Sequence, residues 1–478
     1  MDLARFRSDA EAFVSALDLE YYLHFSGQKE HYEVEPLYER HASLFSRETV
    51  EALRAAGSPA LLEMSVQGLI GRELAAETAE LARREASLEV EAGGERLPFR
   101  QAAIAQANER DPARRRELER ARLDLTRDEL NPLLAASHER AAELVRELGW
   151  PTTSAMVEEL SGIDLGALRE QTEAFIERSE PGYRAAVEPE LRRELGFGFG
   201  ELERADMPAF FRAPSLDAHF PDDRLTAAFD ATARGLGIDL GALPNIVVDA
   251  ESRPLKTPRA FCAPVRVPDE VYLVIAPTGG RDDYETLLHE AGHALHYGHV
   301  DRSLPFEHRY LGDNSVTEGF AFLLQGLASD PEWLRLRLGV EDPSEVVSFA
   351  RASTLVFLRR YCAKLDYELE LHGGGGTPES YARRLSRAVG VDWPEETWLA
   401  DVDAYFYAAR YLRAWALETE LRAHLRERFG PDWFDEPGGG ELLRELWAEG
   451  QRAPAEELLA RIGGEQLGFA RLAAELGV

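Results

Sequence analysis

Residues 283–296 read DYETLLHEAGHALH, and this stretch decides the fold class. Its apolar residues follow a helical pattern, and the preceding acids suit the positive end of a helix dipole. The sequence therefore predicts a helix that opens at Asp282 and Asp283. His289 and His293 lie four residues apart on it, so both imidazoles face the same side.

Two histidines on one helix face can bind a single metal ion. Glu290 follows the first histidine and lies beside the coordination position that would stay open. A carboxylate there can take a proton from a water activated by the metal and later pass it to a leaving amine. The sequence predicts one Zn²⁺ per chain, bound by His289 and His293, with Glu290 as the general base.

A hydrolytic zinc usually has three protein ligands, so a third residue must come from another element. Glu318 begins a second apolar helix 25 residues after His293, and we expect it to be the third ligand. A competing interpretation stays open, because residues 315–318 (Ser-Val-Thr-Glu) also fit a capping box. In that motif the glutamate only reaches back to a backbone N–H.

Two neighbours of the histidines are candidates for supporting roles. Glu285 lies four residues before His289, where it could accept the imidazole N–H opposite the metal. His296 lies three residues after His293 and shares roughly the same face, so it could orient the substrate. The alternatives are a surface carboxylate for Glu285 and a packed side chain for His296.

The segment before this helix has a different composition. Residues 258–277 are rich in β-branched and aromatic side chains, with a turn signal at Pro268-Asp269. They predict a short antiparallel hairpin over residues 262–276. The prolines in the segment suit an edge strand better than a central one.

The length of 478 residues predicts two or three domains, or two lobes. Residues 71–88 and 112–148 read as amphipathic helices because they consist of strong helix formers. We expect an N-terminal helical lobe over residues 1–200 and a catalytic lobe over residues 201–478. Helices of the two halves could interleave across that boundary.

Charge and cysteine content narrow the classes of partner. The chain has 86 acidic and 54 basic residues and a formal charge of −32, which disfavours nucleic acid and anionic lipid as partners. It has only two cysteines, no signal-peptide pattern and no run of eighteen apolar residues. We therefore expect a cytoplasmic protein that binds neither nucleic acid nor membranes.

The run at 283–296 resembles the signature of the thimet oligopeptidase and oligoendopeptidase F family of zinc metallopeptidases. That signature has a glycine before the second zinc histidine and a further histidine three residues later. The spacing to Glu318 is similar to that of the glutamate-zincin group, which includes relatives of angiotensin-converting enzyme. The resemblance is firm over residues 283–325 and looser over residues 350–420.

The resemblance implies a mainly α fold. In it, two helical lobes enclose a deep substrate channel, and a small antiparallel sheet lies beside the zinc helix. It implies a zinc-dependent oligopeptidase that hydrolyses short unstructured peptides. The peptide backbone would pair with the edge strand of the sheet, for which the hairpin at 262–276 is the candidate.

The family also supplies tyrosines that hold the oxyanion. Tyr407 and Tyr411 are the candidates here, because they lie four residues apart on one helix face, with Tyr405 and Arg410 as possible substrate contacts. An aromatic stripe packed in the core is the alternative. The chain departs from the family in having no histidine in 398–404 and in placing Phe322 one turn after Glu318.

Two other functions stay open. The protein could be a carboxypeptidase or dipeptidyl carboxypeptidase, with Arg410 or Arg266 binding the terminal carboxylate. It could also be a non-catalytic peptide-binding protein with a vestigial metal site. The intact Glu290 argues against the latter, because a structural site needs no base beside an open position.

Overall fold

The computed structural model of the protein describes residues 1–277 and 279–478. The chain is mainly α-helical, as the sequence predicts. None of the helices in these two ranges is both long and apolar enough to cross a membrane.

Helices follow one another along most of the chain. In chain order they are α1 (Leu3–Phe25), α2 (Glu35–Arg40), α3 (Arg47–Ala56), α4 (Pro59–Glu73), α5 (Ala75–Ser87), α6 (Phe99–Asn108), α7 (Pro112–Leu125), α8 (Asn131–Glu147), α9 (Thr153–Ser161), α10 (Leu165–Leu195), α11 (Met207–Arg212), α12 (Leu225–Gly235), α13 (Arg281–Gly298), α14 (Phe306–Tyr310), α15 (Asn314–Gln325), α16 (Pro331–Trp333), α17 (Ser344–His372), α18 (Pro378–Val389), α19 (Tyr407–Phe429), α20 (Pro437–Trp447), α21 (Ala455–Arg461) and α22 (Ala470–Leu476).

The described residues also form two small sheets. Their strands are β1 (Glu89–Ala92), β2 (Glu95–Pro98), β3 (Ile246–Asp249), β4 (Phe261–Arg266) and β5 (Glu270–Val274). The predicted hairpin is confirmed, because β4 runs antiparallel to β5 and lies at the edge of the order β3-β5-β4. Strand β3 was not predicted from the sequence. It pairs parallel with β5 and makes this sheet mixed.

The chain forms two compact units, each assembled from three stretches of sequence. The first unit comprises Met1–Val66, Leu216–Val347 and Arg410–Leu472. The second comprises Gln67–Ser215, Ser348–Ala409 and Ala473–Val478. The two units alternate along the chain, and the predicted boundary near residue 200 stays a prediction.

In the first unit, α1 packs on the sheet that β3, β4 and β5 form. The rings of Tyr22 and Tyr272 stack with their centroids 3.8 Å apart. Tyr22 is buried with Phe261, Ala263 and Val265, the apolar face of β4. This alternation along β4 fixes its register, since a slip by one residue would expose the apolar face.

In the second unit, β1 and β2 form a separate hairpin with its own apolar cluster. Val90 and Ala92 point from β1 into a core that also contains Phe99 and Leu118. A buried ion pair joins Arg115 to Asp206 at 2.8 Å. The residues of this cluster and of the ion pair all lie in the second unit.

The crossing of α13 and α15 in the first unit depends on Gly292. A Cβ on this residue would lie 2.5 Å from the Cα of Ala321 and 2.7 Å from the carbonyl oxygen of Phe320. Such contacts are too short for any side chain, so only glycine allows the two helices to approach this closely. The approach brings Glu318 on α15 next to the histidines of α13.

Candidate metal centre

Helix α13 begins at Arg281, one residue before the predicted opening. Its first N–H donates to the carboxylate of Asp217 at 3.2 Å, and Asp282 and Asp283 occupy the first turn. Acids there are stabilised by the helix dipole. The buried face of the helix includes Leu287, Leu288, Ala291 and Leu295.

Helix α15 is capped by Asp313, whose carboxylate accepts the backbone N–H of Ser315 at 3.0 Å. Glu318 therefore lies inside the helix rather than in the capping position that residues 315–318 suggest. Its carboxylate faces α13 instead. Only 7% of the Glu318 side chain is exposed, so this carboxylate is held in a largely water-free environment.

The structure brings His289, His293 and Glu318 together. One potential ligand atom from each lies within 4.8 Å of the other two. The Oε2 atom of Glu318 is 3.4 Å from Nε2 of His289 and 3.7 Å from Nε2 of His293. Two imidazole nitrogens and one carboxylate oxygen form a donor set that binds catalytic zinc in other proteins.

The other nitrogen of each imidazole is already occupied. Nδ1 of His289 lies 2.8 Å from the side-chain oxygen of Gln325, and Nδ1 of His293 lies 2.9 Å from the hydroxyl of Thr317. If Nδ1 donates its hydrogen to these acceptors, the lone pair of each Nε2 is left facing Glu318. The three residues therefore fit a metal ion in ligand type and orientation.

Electrostatics support the neutral form of His293. Burial lowers the pKa of His293 to about 4, although Glu318 opposes this shift. A metal ligand must be the neutral imidazole, so no proton has to be displaced from His293 at neutral pH. Burial acts the same way on His289, but there Glu318, the charge of Glu290 and the hydrogen bond to Gln325 together outweigh it and the pKa is raised.

Glu290 lies between this cluster and the edge strand. Its Oε2 accepts the backbone N–H of Cys262 in β4 at 2.9 Å. Burial raises the pKa of Glu290, and the negative charge of Glu318 adds to this effect while His289 opposes it. A carboxylate with a raised pKa that is held in place by a backbone donor is suited to general-base chemistry.

Tyr411 belongs to the same unit and lies close to the cluster. The centroid of its ring is 5.8 Å from the ring centroid of Phe322. The ring centroids of Phe322 and His289 are 5.4 Å apart. Phe322 also stacks on Trp415, with the rings 5.0 Å apart and nearly parallel at 2°. These half-buried aromatic side chains form a wall beside His289.

Tyr405 and Tyr407 belong to the second unit. Tyr407 is the first residue of α19, and Tyr405 precedes it with a left-handed backbone, φ 52°. A non-glycine residue rarely adopts this conformation, so the backbone here is strained. The roles of both tyrosines stay predictions.

The remaining predicted residues have other contacts. Glu285 pairs with Arg281 at 2.6 Å, and the His289 nitrogen that Glu285 was expected to contact lies against Gln325 instead. His296 is fully buried, with its ring 5.0 Å from that of Phe320. Arg410 pairs with Glu63 and donates to the carbonyl of Gly312 at 3.2 Å. The supporting and substrate-binding roles of these residues stay predictions.

Arg266, the other arginine considered for carboxylate binding, pairs with Glu270 at 2.6 Å. Both Arg266 and Arg410 therefore already contact a carboxylate of this chain. Binding a peptide carboxylate would require either arginine to exchange or share that partner.

Three residues of the centre were missed by sequence reasoning, namely Gln325, Thr317 and Cys262. Gln325 lies seven residues after Glu318, a spacing that places both on one helix face. That spacing is the signal that could have identified Gln325 as a partner of the histidines. The backbone donor at Cys262 leaves no such signal, because any residue except proline has an N–H.

No protein-family model and no curated protein matches the chain. Solved structures do match. A protein assigned as oligoendopeptidase F from Bacillus anthracis aligns with a TM-score of 0.67 at 14% identity, covering 98% of this chain and 88% of that one. PZ peptidase A with an inhibitor aligns with a TM-score of 0.69 at 16% identity, covering 98% and 90%.

At such identities the likeness establishes the fold alone. It extends over nearly the whole chain, far beyond the residues that carry the motif. The oligoendopeptidase-like fold implied by the resemblance at 283–296 is confirmed.

Proposed function

We propose that the protein is a zinc-dependent peptidase that hydrolyses short, unstructured peptides. The observation that carries the proposal is the position of Glu318 Oε2, 3.4 Å and 3.7 Å from the two imidazole Nε2 atoms. The Nδ1 atoms contact Gln325 and Thr317, an orientation expected of metal-binding histidines.

His289, His293 and Glu318 would hold the zinc ion. When bound, zinc supplies Lewis-acid chemistry, which makes water more acidic and polarises a carbonyl. Glu290 accepts a proton from the attacking water and then delivers it to the nitrogen of the departing amine. The backbone N–H of Cys262 holds the carboxylate of Glu290 in position for both transfers.

Tyr411 is proposed to donate a hydrogen bond to the oxyanion that develops on the attacked carbonyl. A donor aimed at this charge contributes about 2.7–4 kcal/mol to transition-state stabilisation in other hydrolases. Its position beside Phe322 supports this choice, because Phe322 contacts the ring of His289. Tyr407 is the second candidate donor.

The outer position of β4 supports peptides as the substrates. An extended peptide can pair with an exposed strand edge through backbone hydrogen bonds. Cys262, in this strand, already donates its N–H to Glu290, so the strand edge and the base are adjacent. The peptidase names of the two similar structures are consistent with this class of substrate.

The proposal can be tested by incubating a mixed pool of short synthetic peptides with zinc-loaded wild-type protein or with the Glu290→Gln variant. Mass spectrometry would then identify the products. Internal cuts that disappear in the variant are expected. Loss of C-terminal residues alone would instead indicate a carboxypeptidase. Absence of cleavage by the zinc-loaded wild-type protein would contradict the proposal and leave peptide binding as the function.

A further inference from the structure

The first unit contains a cavity of about 130 Å³ close to Glu290. On α13 it is bordered by Thr286, one helical turn before Glu290. It is also bordered by Ala260, two residues before Cys262. Cys262 donates its N–H to Glu290, so the cavity lies two residues along the chain from a group that contacts the proposed base.

The lining of the cavity is mainly apolar. Its apolar members include Leu225, Pro258, Ala260, Ile275, Ala276 and Leu287. A side chain that enters would exchange water for these apolar surfaces, which favours hydrocarbon groups.

Charged groups of both signs also border the cavity, and these are Arg259, Asp282 and Asp283. Asp282 contacts Arg281 at 3.3 Å, and Asp283 accepts the backbone N–H of Gly279 at 2.5 Å. Two carboxylates against one guanidinium disfavour an acidic side chain, and both carboxylates already have partners in this chain, which weakens their attraction for a basic one. The apolar walls therefore decide the selectivity.

The volume suits one side chain of moderate size. An engineered apolar cavity of about 150 Å³ binds benzene in another protein. The cavity opens to solvent and is slightly smaller than that, and it can accept the branched side chain of valine, leucine or isoleucine.

We propose that this cavity is a substrate subsite for one aliphatic side chain flanking the scissile bond. This inference rests on the proposed peptidase function and names the residue class that the site selects. A peptide lying along β4 beside Glu290 would have a side chain near the cavity, because Ala260 directly precedes β4 and Thr286 lies one helical turn before Glu290.

Two peptide series would test the subsite. One series varies the residue before the cut and the other varies the residue after it, in each case among Gly, Ala, Val, Leu, Trp, Asp and Lys. Wild-type protein is expected to prefer Val or Leu over Gly at one of these positions by at least about 10-fold in kcat/KM. Adding or removing a single methylene in an apolar pocket changes kcat/KM by about 10- to 200-fold.

Two variants would fill the cavity from different walls, Ala276→Leu and Thr286→Leu. Each is expected to lower kcat/KM about 10-fold more for the Leu peptide than for the Gly peptide. Ala76→Leu is the matched control, because Ala76 is exposed on α5 in the second unit. Equal losses on both peptides, no loss at all, or a wild-type preference for Asp or Lys would overturn the inference.

A binding experiment separates failure of the subsite from failure of the proposed peptidase function. The Kd values of the Leu and Gly peptides would be measured on Glu290→Gln, with and without Ala276→Leu. Tighter binding of the Leu peptide that Ala276→Leu abolishes supports the subsite even if no peptide is hydrolysed. Equal Kd values for the two peptides would overturn it even if hydrolysis is observed.

Discussion

Gln325 lies two helical turns after Glu318, and its side-chain oxygen is 2.8 Å from Nδ1 of His289. Helix α15 therefore contacts His289 on both sides, with Glu318 facing Nε2 and Gln325 facing Nδ1. One helix thus contacts both ring nitrogens of a histidine on another. This relationship makes the crossing of α13 and α15 the element on which the centre depends.

Gln325→Leu is expected to lower zinc affinity by about 10- to 100-fold, because the histidine loses the acceptor that fixes its tautomer. Competition with a chelator would measure the affinity. Gln325→Glu keeps an acceptor at the same position and should bind zinc at least as tightly as the wild-type protein. Unchanged affinity in the Leu variant would contradict the role given to Gln325.

Gly292→Ala is expected to lower the free energy of unfolding by about 1–3 kcal/mol, the usual cost of overpacking. It should also weaken zinc binding, because the added methyl separates α13 from α15. Gly71→Ala is the control, since a Cβ there has nothing within 4 Å. That change should be neutral, or stabilising by about 0.5–1 kcal/mol. Urea unfolding would compare the two, and equal effects would refute the close contact.

Tyr411→Phe is expected to lower kcat by about 10²- to 10³-fold while the zinc content stays unchanged. The reason is that the variant loses only a hydroxyl directed at the transition-state charge. Tyr407→Phe is the matched variant. If it alone lowers kcat, the oxyanion donor is Tyr407, and if neither does, the oxyanion assignment is wrong.

Glu368, in the second unit, is fully buried, and burial raises its pKa from the ordinary 4.5 to about 8. Lys364 and the backbone N–H of Asp403 oppose this shift, while the charges of Asp401 and Asp403 add to it. The folded state therefore binds more protons than the unfolded state between pH 4.5 and pH 8. The contribution of Glu368 to stability consequently falls as the pH rises through this range.

Glu368→Gln should remove this pH dependence, because an amide does not titrate. The amide oxygen can still accept the backbone N–H of Asp403, which lies 2.7 Å from the Glu368 carboxylate in the wild-type protein. The free energy of unfolding would be measured for both proteins from pH 5 to pH 8. The wild-type protein is expected to lose stability relative to the variant as the pH rises. A difference independent of pH would show that Glu368 does not titrate in this range.

Local sequence patterns predicted the elements that carry the centre. The spacing of His289 and His293 requires only that α13 be a helix, and the hairpin of β4 and β5 follows from composition and a turn signal. The mainly helical class follows from residue content and from the resemblance at 283–296. Each of these depends on residues close together in the chain.

Features that depend on distant contacts were not predictable. Strand β3 has only four residues, and its parallel pairing with β5 joins segments about twenty-five residues apart. The contact of Gln325 with His289 requires the helix crossing at Gly292, which no local pattern specifies. The wall formed by Phe322 and Trp415 likewise joins two helices far apart in sequence.

The central claim is that His289, His293 and Glu318 bind zinc for hydrolysis with Glu290 as the base. The most direct measurement is the hydrolysis rate of one internally quenched peptide by wild-type protein and Glu290→Gln, at equal, measured zinc content. The account predicts one zinc per chain in both proteins and a loss of hydrolysis in the variant. Equal rates at equal zinc content would contradict it.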